Sequence, residues 1–312
     1  AYKYLLALIA ATIVLDFYLA RAIEATERPG ARFALLLTSL VSNLGILAVF
    51  KYADFFRLDV LGLDARPWHL VLPAGISFHT FQSLSYTIDV YRKELRATSS
   101  VVEFATFVLF FPQLVAGPIE RPQNLLHQLH ARHAFDYDRV LGGLRLMLWG
   151  LFKKSFVADR LALLVDPIYN DPAAHAGWSA PYWIATYAFA YQVYCDFSGY
   201  SDMARGAARV MGYELMENFK YPFSSKTIGE FWQRWHVSLS TWFKDYIYMP
   251  LALRAQHRAD GGAMALAADD VARIVGLGEA VPYARYGESV ESVLEQIRSV
   301  IPRGVGRADL QA

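Results

Sequence analysis

One stretch of this sequence concentrates groups that could move a proton. It runs Phe231-Trp-Gln-Arg-Trp-His236-Val-Ser-Leu-Ser240-Thr-Trp-Phe-Lys-Asp-Tyr246. A histidine beside hydroxyls in a dry pocket could serve as general base toward a substrate hydroxyl. If the stretch is helical throughout, Trp232, His236 and Ser240 share one face, and Glu230 pairs with Arg234. The competing reading is a histidine bonded to backbone at a helix–loop boundary, with the tryptophans as interface anchors. A second cluster is Tyr194-Cys-Asp196-Phe-Ser198-Gly-Tyr200-Ser-Asp202. Asp196, Ser198 and Tyr200 could position a polar substrate there, with Asp196 and Tyr200 on one helical face. A helix-packing seam built from Ser and Gly accounts for the cluster equally well. Asp202 and Arg205 read as an ion pair at i, i+3.

Two further groups surround His79 and Gln113. Pro73, Gly75, Ser77, His79, Gln82 and Ser85 fall together, as do Pro112, Gln113 and Gly117-Pro118. Their Gly and Pro most simply break helices, and a lone histidine is more often a packed polar residue than a catalyst. His127, His130 and His133 have no carboxylate at matched spacing, so no metal site is expected. There is no GxSxG elbow and no phosphate-binding loop. The single cysteine, Cys195, excludes an intramolecular disulfide and a cysteine-based zinc site, and it reads as a buried thiol. The net charge of +1, without a basic cluster interleaved with aromatics, gives no case for nucleic acid.

The elements that must carry these groups read as membrane helices. The chain has 312 residues, 55% hydrophobic and only 19% charged, with a mean hydropathy of +0.22. Phe33–Phe50, Pro67–Ile88 and Pro172–Cys195 each run without a charged side chain. A bilayer-spanning helix needs about 20 mostly apolar residues, and a soluble core helix rarely goes that far without a polar face. The lipid bilayer is therefore the first expected partner. Tyr4–Ala20 carries Asp16 and leads into charged residues, so it reads as a true span rather than a cleaved leader. Pro67–Ile88 is expected to be broken or re-entrant. Phe104–Ile119, Val140–Phe152, Phe156–Val165 and Tyr182–Cys195 are further apolar segments. Lys153-Lys154 between two of them should snorkel to an interface. Phe231–Leu253 is amphipathic and Trp-rich. The character changes after Leu253, and Glu288–Ile301 looks like a soluble amphipathic helix. Lys and Arg are balanced between successive loops, so orientation is not fixed.

Taken in order, six blocks resemble the membrane-bound O-acyltransferase family, nearest its alginate O-acetyltransferase branch. They are Leu72–Arg92, Phe111–Pro122, Gly150–Lys154 with Ala158–Arg160, Asp196–Ala204, Asn218–Pro222 and Phe231–Tyr248. The resemblance implies an all-α polytopic transmembrane bundle around a tunnel, covering 1–251, with a short non-membrane tail at 252–312. It implies a multi-pass protein of the cell (inner) membrane. The task it implies is transfer of an acyl group, expected to be acetyl, from a donor such as acetyl-CoA or an acyl carrier. The acceptor is a hydroxyl of an exported polysaccharide such as alginate, with periplasmic or extracellular partner proteins. No bound cofactor is expected.

His236 matches the family's first recurrent histidine and is the expected catalytic residue. Asp196, Ser198, Tyr200, Trp232, Ser240, His79 and Gln113 are expected to bind substrate. The family's principal histidine lies in a later Trp-His-Gly helix, and no such segment follows His236, so this chain alone is expected to have little activity. Its first family span is expected to be missing, and the tail reads as another reading frame or a fused segment. A transporter or scaffold is the alternative class, since broken helices and midplane polar residues also suit transport. Two similar halves would favour it, and none is detectable.

Overall fold

The computed structural model describes residues 3–63, 68, 70, 75–114, 117–171 and 179–259. Pro73, the Val115-Ala116 pair, the start of the Pro172–Cys195 run, Glu288–Ile301 and the tail from 260 lie outside the described residues.

Among the described residues the protein is all-α, with one isolated antiparallel bridge and no strand. Helix α1 covers Lys3–Ala25 and α2 covers Pro29–Asp54. Pro29 sits in the first turn of α2, where a missing N–H costs nothing. Two helical segments are long and apolar enough to cross a membrane, Leu6–Ala25 and Pro29–Val60. The second extends beyond the uncharged run Phe33–Phe50. α2 runs on through Asp54 into a π turn at Phe55–Val60, so Lys51 and Asp54 ride on the helix.

Helix α3 (Ile76–Arg92) packs on both spans and is the most deeply buried element of this bundle. Gly75 begins it in the left-handed region at φ 76°, and a Cβ there would collide with the Leu114 carbonyl. That supports reading this glycine as a helix breaker. A polar seam joins the three helices. Asp16, fully buried, accepts from Ser39 Oγ at 2.7 Å and from Asn43 Nδ2 at 2.8 Å. With no water at hand, such a carboxylate needs internal donors, and α2 supplies two.

The Phe104–Ile119 segment is not one long helix. It divides into α4 (Val101–Val108) and the single turn α5 (Phe111–Leu114). Helix α6 is Pro122–Leu129. Phe104, Phe107 and Val108 of α4 pack with Tyr86, Phe17 and Leu125 in the main apolar core.

The second layer pairs α7 (Tyr137–Leu151), a π turn (Phe152–Ala158) and α8 (Asp159–Asn170) with the long α9 (Ala180–Met211). Asp136 caps α7 by accepting the Arg139 N–H at 2.7 Å. Two glycine pairs, Gly143 with Gly206 and Gly150 with Gly199, let α7 and α9 touch backbone to backbone. A Cβ on Gly199 would lie 2.7 Å from the Gly150 carbonyl oxygen. Gly143, Gly150, Ala158 and Val165 are the buried positions of this rod.

Three short helices close the described chain: α10 (Ile228–Arg234), α11 (Val237–Phe243) and, after a π turn at Lys244–Tyr248, α12 (Met249–Ala259).

Candidate active site

His236 does not sit within a helix. α10 ends at Arg234, His236 adopts a left-handed conformation (φ 43°, ψ 53°), and α11 starts at Val237. The expected common face of Trp232, His236 and Ser240 is therefore broken. The cause is a tertiary hydrogen-bond pattern. Lys220 N–H donates to the Arg234 carbonyl at 2.9 Å and Val237 N–H to the Asn218 carbonyl at 3.0 Å, around the bridge between Phe219 and Trp235. These bonds draw the chain out of the helix just where the histidine lies. A non-glycine residue with positive φ is uncommon and costs about 1–3 kcal/mol, and such sites cluster where function over-determines the backbone.

The imidazole is boxed by aromatics. It lies edge-on to Phe197 of α9, with ring centres 4.6 Å apart, and faces Phe219 at 6.4 Å. Nε2 is buried and has no hydrogen-bond partner. Burial among these rings pushes the His236 pKa down to about 4, so the ring is neutral at physiological pH. A neutral histidine with a free ring nitrogen can accept a proton from a bound hydroxyl.

Around it, α9 presents the second cluster. Phe197 touches the histidine, and Tyr194 packs on Phe219 and Trp235. Asp196 is held by Lys154 at 2.6 Å, and the same ammonium lies 5.7 Å from the Tyr200 ring centre. Asp196 and Tyr200 thus share one face through one cation. Ser198 is buried and accepts from Lys153 Nζ at 3.0 Å, while Lys153 also pairs with Asp202 at 2.6 Å. The lysines were expected to snorkel outward. Both pair with carboxylates of α9, and Lys154 also with Asp159 at 2.6 Å. Asp202 also meets Arg205 at 3.5 Å, the pair read from spacing, and Arg234 pairs with Glu230.

The other candidates scatter. Trp232 is exposed and packs on Phe231. Ser240 Oγ donates to the Trp235 carbonyl at 3.3 Å, which stiffens the turn before α11. His79 is buried on α3, with Nε2 2.9 Å from Thr12 Oγ1 of α1. Gln113 is fully buried and donates to the Phe107 carbonyl at 2.8 Å. Neither has a hydrogen bond to the His236 turn. Cys195 is buried, as its apolar setting implied. His127, His130 and His133 go to three different partners, the Gln123 carbonyl, Glu103 and the Gln128 carbonyl. Among the described residues no three His, Cys, Asp or Glu side chains are grouped to hold a metal.

Three residues, Asn218, Ser238 and Glu120, were passed over in the sequence. Asn218 is buried, and its Oδ1 accepts the Ser238 N–H at 3.3 Å. Ser238, also buried, accepts the Ile119 N–H on Oγ at 3.0 Å. Glu120 accepts the Met216 N–H, and burial raises its pKa above the usual carboxylate range. Together these bonds fasten the Gly117–Glu120 loop to the histidine turn. Their only advance signal was membership of the motif blocks.

The histidine turn thus sits on a helical bundle, and the motif blocks meet around it in chain order. The chain belongs to the membrane-bound O-acyltransferase family, whose model matches residues 32–268. The match continues past Leu251, where the family pattern was expected to stop. The protein is thus a membrane protein by family. It is 40% identical over 79% of its length to the probable alginate O-acetylase AlgI of Pseudomonas aeruginosa, covering 48% of that relative. It is 32% identical over 80% of its length to the peptidoglycan O-acetyltransferase of Helicobacter pylori, covering 52% of it. The teichoic acid D-alanyltransferase of Bacillus subtilis is 31% identical over 59% of the chain, with 46% of that relative covered. The chain spans about half the length of the curated relatives it matches.

Proposed function

We propose that the protein is an O-acyltransferase that moves an acetyl group from an activated donor, such as acetyl-CoA or an acyl carrier, to hydroxyls of an exported polysaccharide. It works as a multi-pass protein of the cell inner membrane, its helices surrounding a tunnel, with delivery completed by partner proteins outside. One observation carries the reading. His236, in the Trp235-His-Val-Ser-Leu-Ser240 block, is neutral, with a buried, unpartnered Nε2 in a turn that the rest of the site holds rigid. In this reading Nε2 takes the proton of the acceptor hydroxyl, a contribution of about 10²–10⁴-fold. The glycan acceptor is supported by relatives named for alginate and peptidoglycan, both carbohydrate polymers. Asp196, Ser198 and Tyr200 of α9, Trp232 of α10, Ser240 of α11, His79 of α3 and Gln113 of α5 are the residues proposed to bind substrate.

The test is to incubate membranes containing the protein with radiolabelled acetyl-CoA and either alginate or peptidoglycan fragments. Label should enter the glycan, against the little activity expected from the lack of a later Trp-His-Gly segment, and His236→Ala should abolish it. No glycan labelling above that of membranes without the protein would overturn the reading.

A further inference from the structure

Asn218 stands directly opposite His236 across the Phe219–Trp235 bridge. The flanking bonds from Val237 N–H to the Asn218 carbonyl and from Lys220 N–H to the Arg234 carbonyl fix that register. The Asn218 side chain is 1% exposed. The orientation of its amide is decided by its surroundings. Oδ1 accepts the Ser238 N–H, and turning the amide over would set donor against donor. Nδ2 therefore presents two N–H donors, buried and without an acceptor, on the residue opposed in the bridge register to a histidine whose Nε2 is also unpartnered. Leaving such a group unpaired costs about 1–3 kcal/mol, and native proteins seldom do so without a reason. A buried donor and a buried base on opposed residues of one bridge suit a reaction that develops negative charge on one oxygen while releasing a proton from another.

We propose that Asn218 is a further catalytic residue, its Nδ2 donating to the carbonyl oxygen of the acyl group as that oxygen becomes negative. The assignment rests on the O-acyl transfer reading with a thioester donor. In the step, the acceptor hydroxyl gives its proton to His236 Nε2 and its oxygen bonds to the acyl carbon. The carbonyl π pair moves onto the oxygen facing Asn218. When the pair returns, the bond from acyl carbon to the donor's sulfur breaks, and the departing thiolate takes the proton back from His236.

The experiment compares wild-type protein with Asn218→Asp and Asn218→Ala in membranes, using an acetyl thioester donor and alginate oligosaccharide. Asn218→Asp keeps the acceptor for Ser238 N–H and removes both donors. We expect kcat to fall about 10²–10³-fold with KM nearly unchanged. A second readout is the rate ratio between the thioester and its dithioester counterpart, whose sulfur is a poor hydrogen-bond acceptor. That ratio comes from folded molecules alone, so it is insensitive to a loss of stability. It should be large in wild type and shrink in the residual rate of both variants. Wild-type turnover in Asn218→Asp, or lowered turnover with the ratio preserved, overturns the assignment and leaves the O-acyl reading standing. If the unmutated protein transfers no label that depends on His236, both fall together.

Discussion

The phenol of Tyr246 donates to Asp89 Oδ1 over 2.8 Å, joining the turn after α11 to the last turn of α3. Gln123 Nε2 donates to the other oxygen at 3.0 Å. One helical turn back, Trp242 Nε1 lies 3.1 Å from both the Phe81 carbonyl and Ser85 Oγ. The segment behind the histidine is thus pinned to α3 at two heights.

Tyr246→Phe should keep the ring beneath Arg92 and Arg121 while stripping one donor from a carboxylate that is 1% exposed. Hydrogen bonds to charged groups are worth about 1.5–3 kcal/mol. The melting temperature in detergent should fall accordingly, and an unchanged value would mean the bond does not hold α11.

His236 gives the protein a pH signature. Its pKa in the fold is about 4 against 6.5 in the unfolded chain. Between those values the unfolded chain takes up a proton that the folded one refuses, so stability falls as pH drops through this window. His236→Gln should make that part of the melting-temperature profile less steep. The acid limb of transfer activity should also lie near 4 rather than 6.5, and a limb at 6.5 would show that the ring is solvated.

Lys153 and Asp202 have only 12% and 16% of their side chains exposed. Removing one partner of a buried pair costs about 3–5 kcal/mol. Arg205 at 3.5 Å remains to offset part of the charge in Lys153→Met, so the loss should lie at or below the lower end. Replacing both, as Lys153→Met with Asp202→Leu, should recover much of it. A double variant as unstable as the sum of the single variants would show that the two charges do not interact.

At the helix crossing, Gly199→Ala would bring its methyl within 3.0 Å of Lys154 N as well as 2.7 Å of the Gly150 oxygen, both backbone atoms that cannot swing aside. We expect about 1–3 kcal/mol of destabilisation from overpacking. Gly142→Ala, whose new carbon meets nothing closer than 3.5 Å, should be neutral. Limited proteolysis of the two variants side by side distinguishes a tight crossing from a loose one.

What could be read in advance depended on range. α1 and α2 follow from apolar runs, and the Asp202–Arg205 and Glu230–Arg234 pairs follow from helical spacing, because each is a local property. A helix boundary at His236 was one of the two readings the sequence allowed, and the structure has it. Its cause was not legible, because hydrogen bonding between 234–237 and 218–220 joins residues outside each other's local window. The pairs of Lys153 with Asp202 and of Lys154 with Asp196 were hidden for a similar reason, since these carboxylates lie more than ten helical turns away along the chain. Asn218 looked like one letter in a motif, and only the register of the bridge sets it opposite the histidine.

The π turn at Phe152–Ala158 corrects the phase of its rod. The buried positions Gly143 and Gly150 are a heptad apart, as are Ala158 and Val165, but Gly150 and Ala158 are one residue further apart. At about 100° per residue, an unbroken α-helix would swing the second pair about 80° off the α9 contact line. The wider turn, closed by i→i+5 bonds, absorbs the surplus residue. Deleting Ser155 should therefore let the rod relax into plain α-helix with its contact line intact, while deleting Arg145 should twist that line apart. This helix carries an insertion and the means of accommodating it in the same turn, and length changes in related chains should collect there.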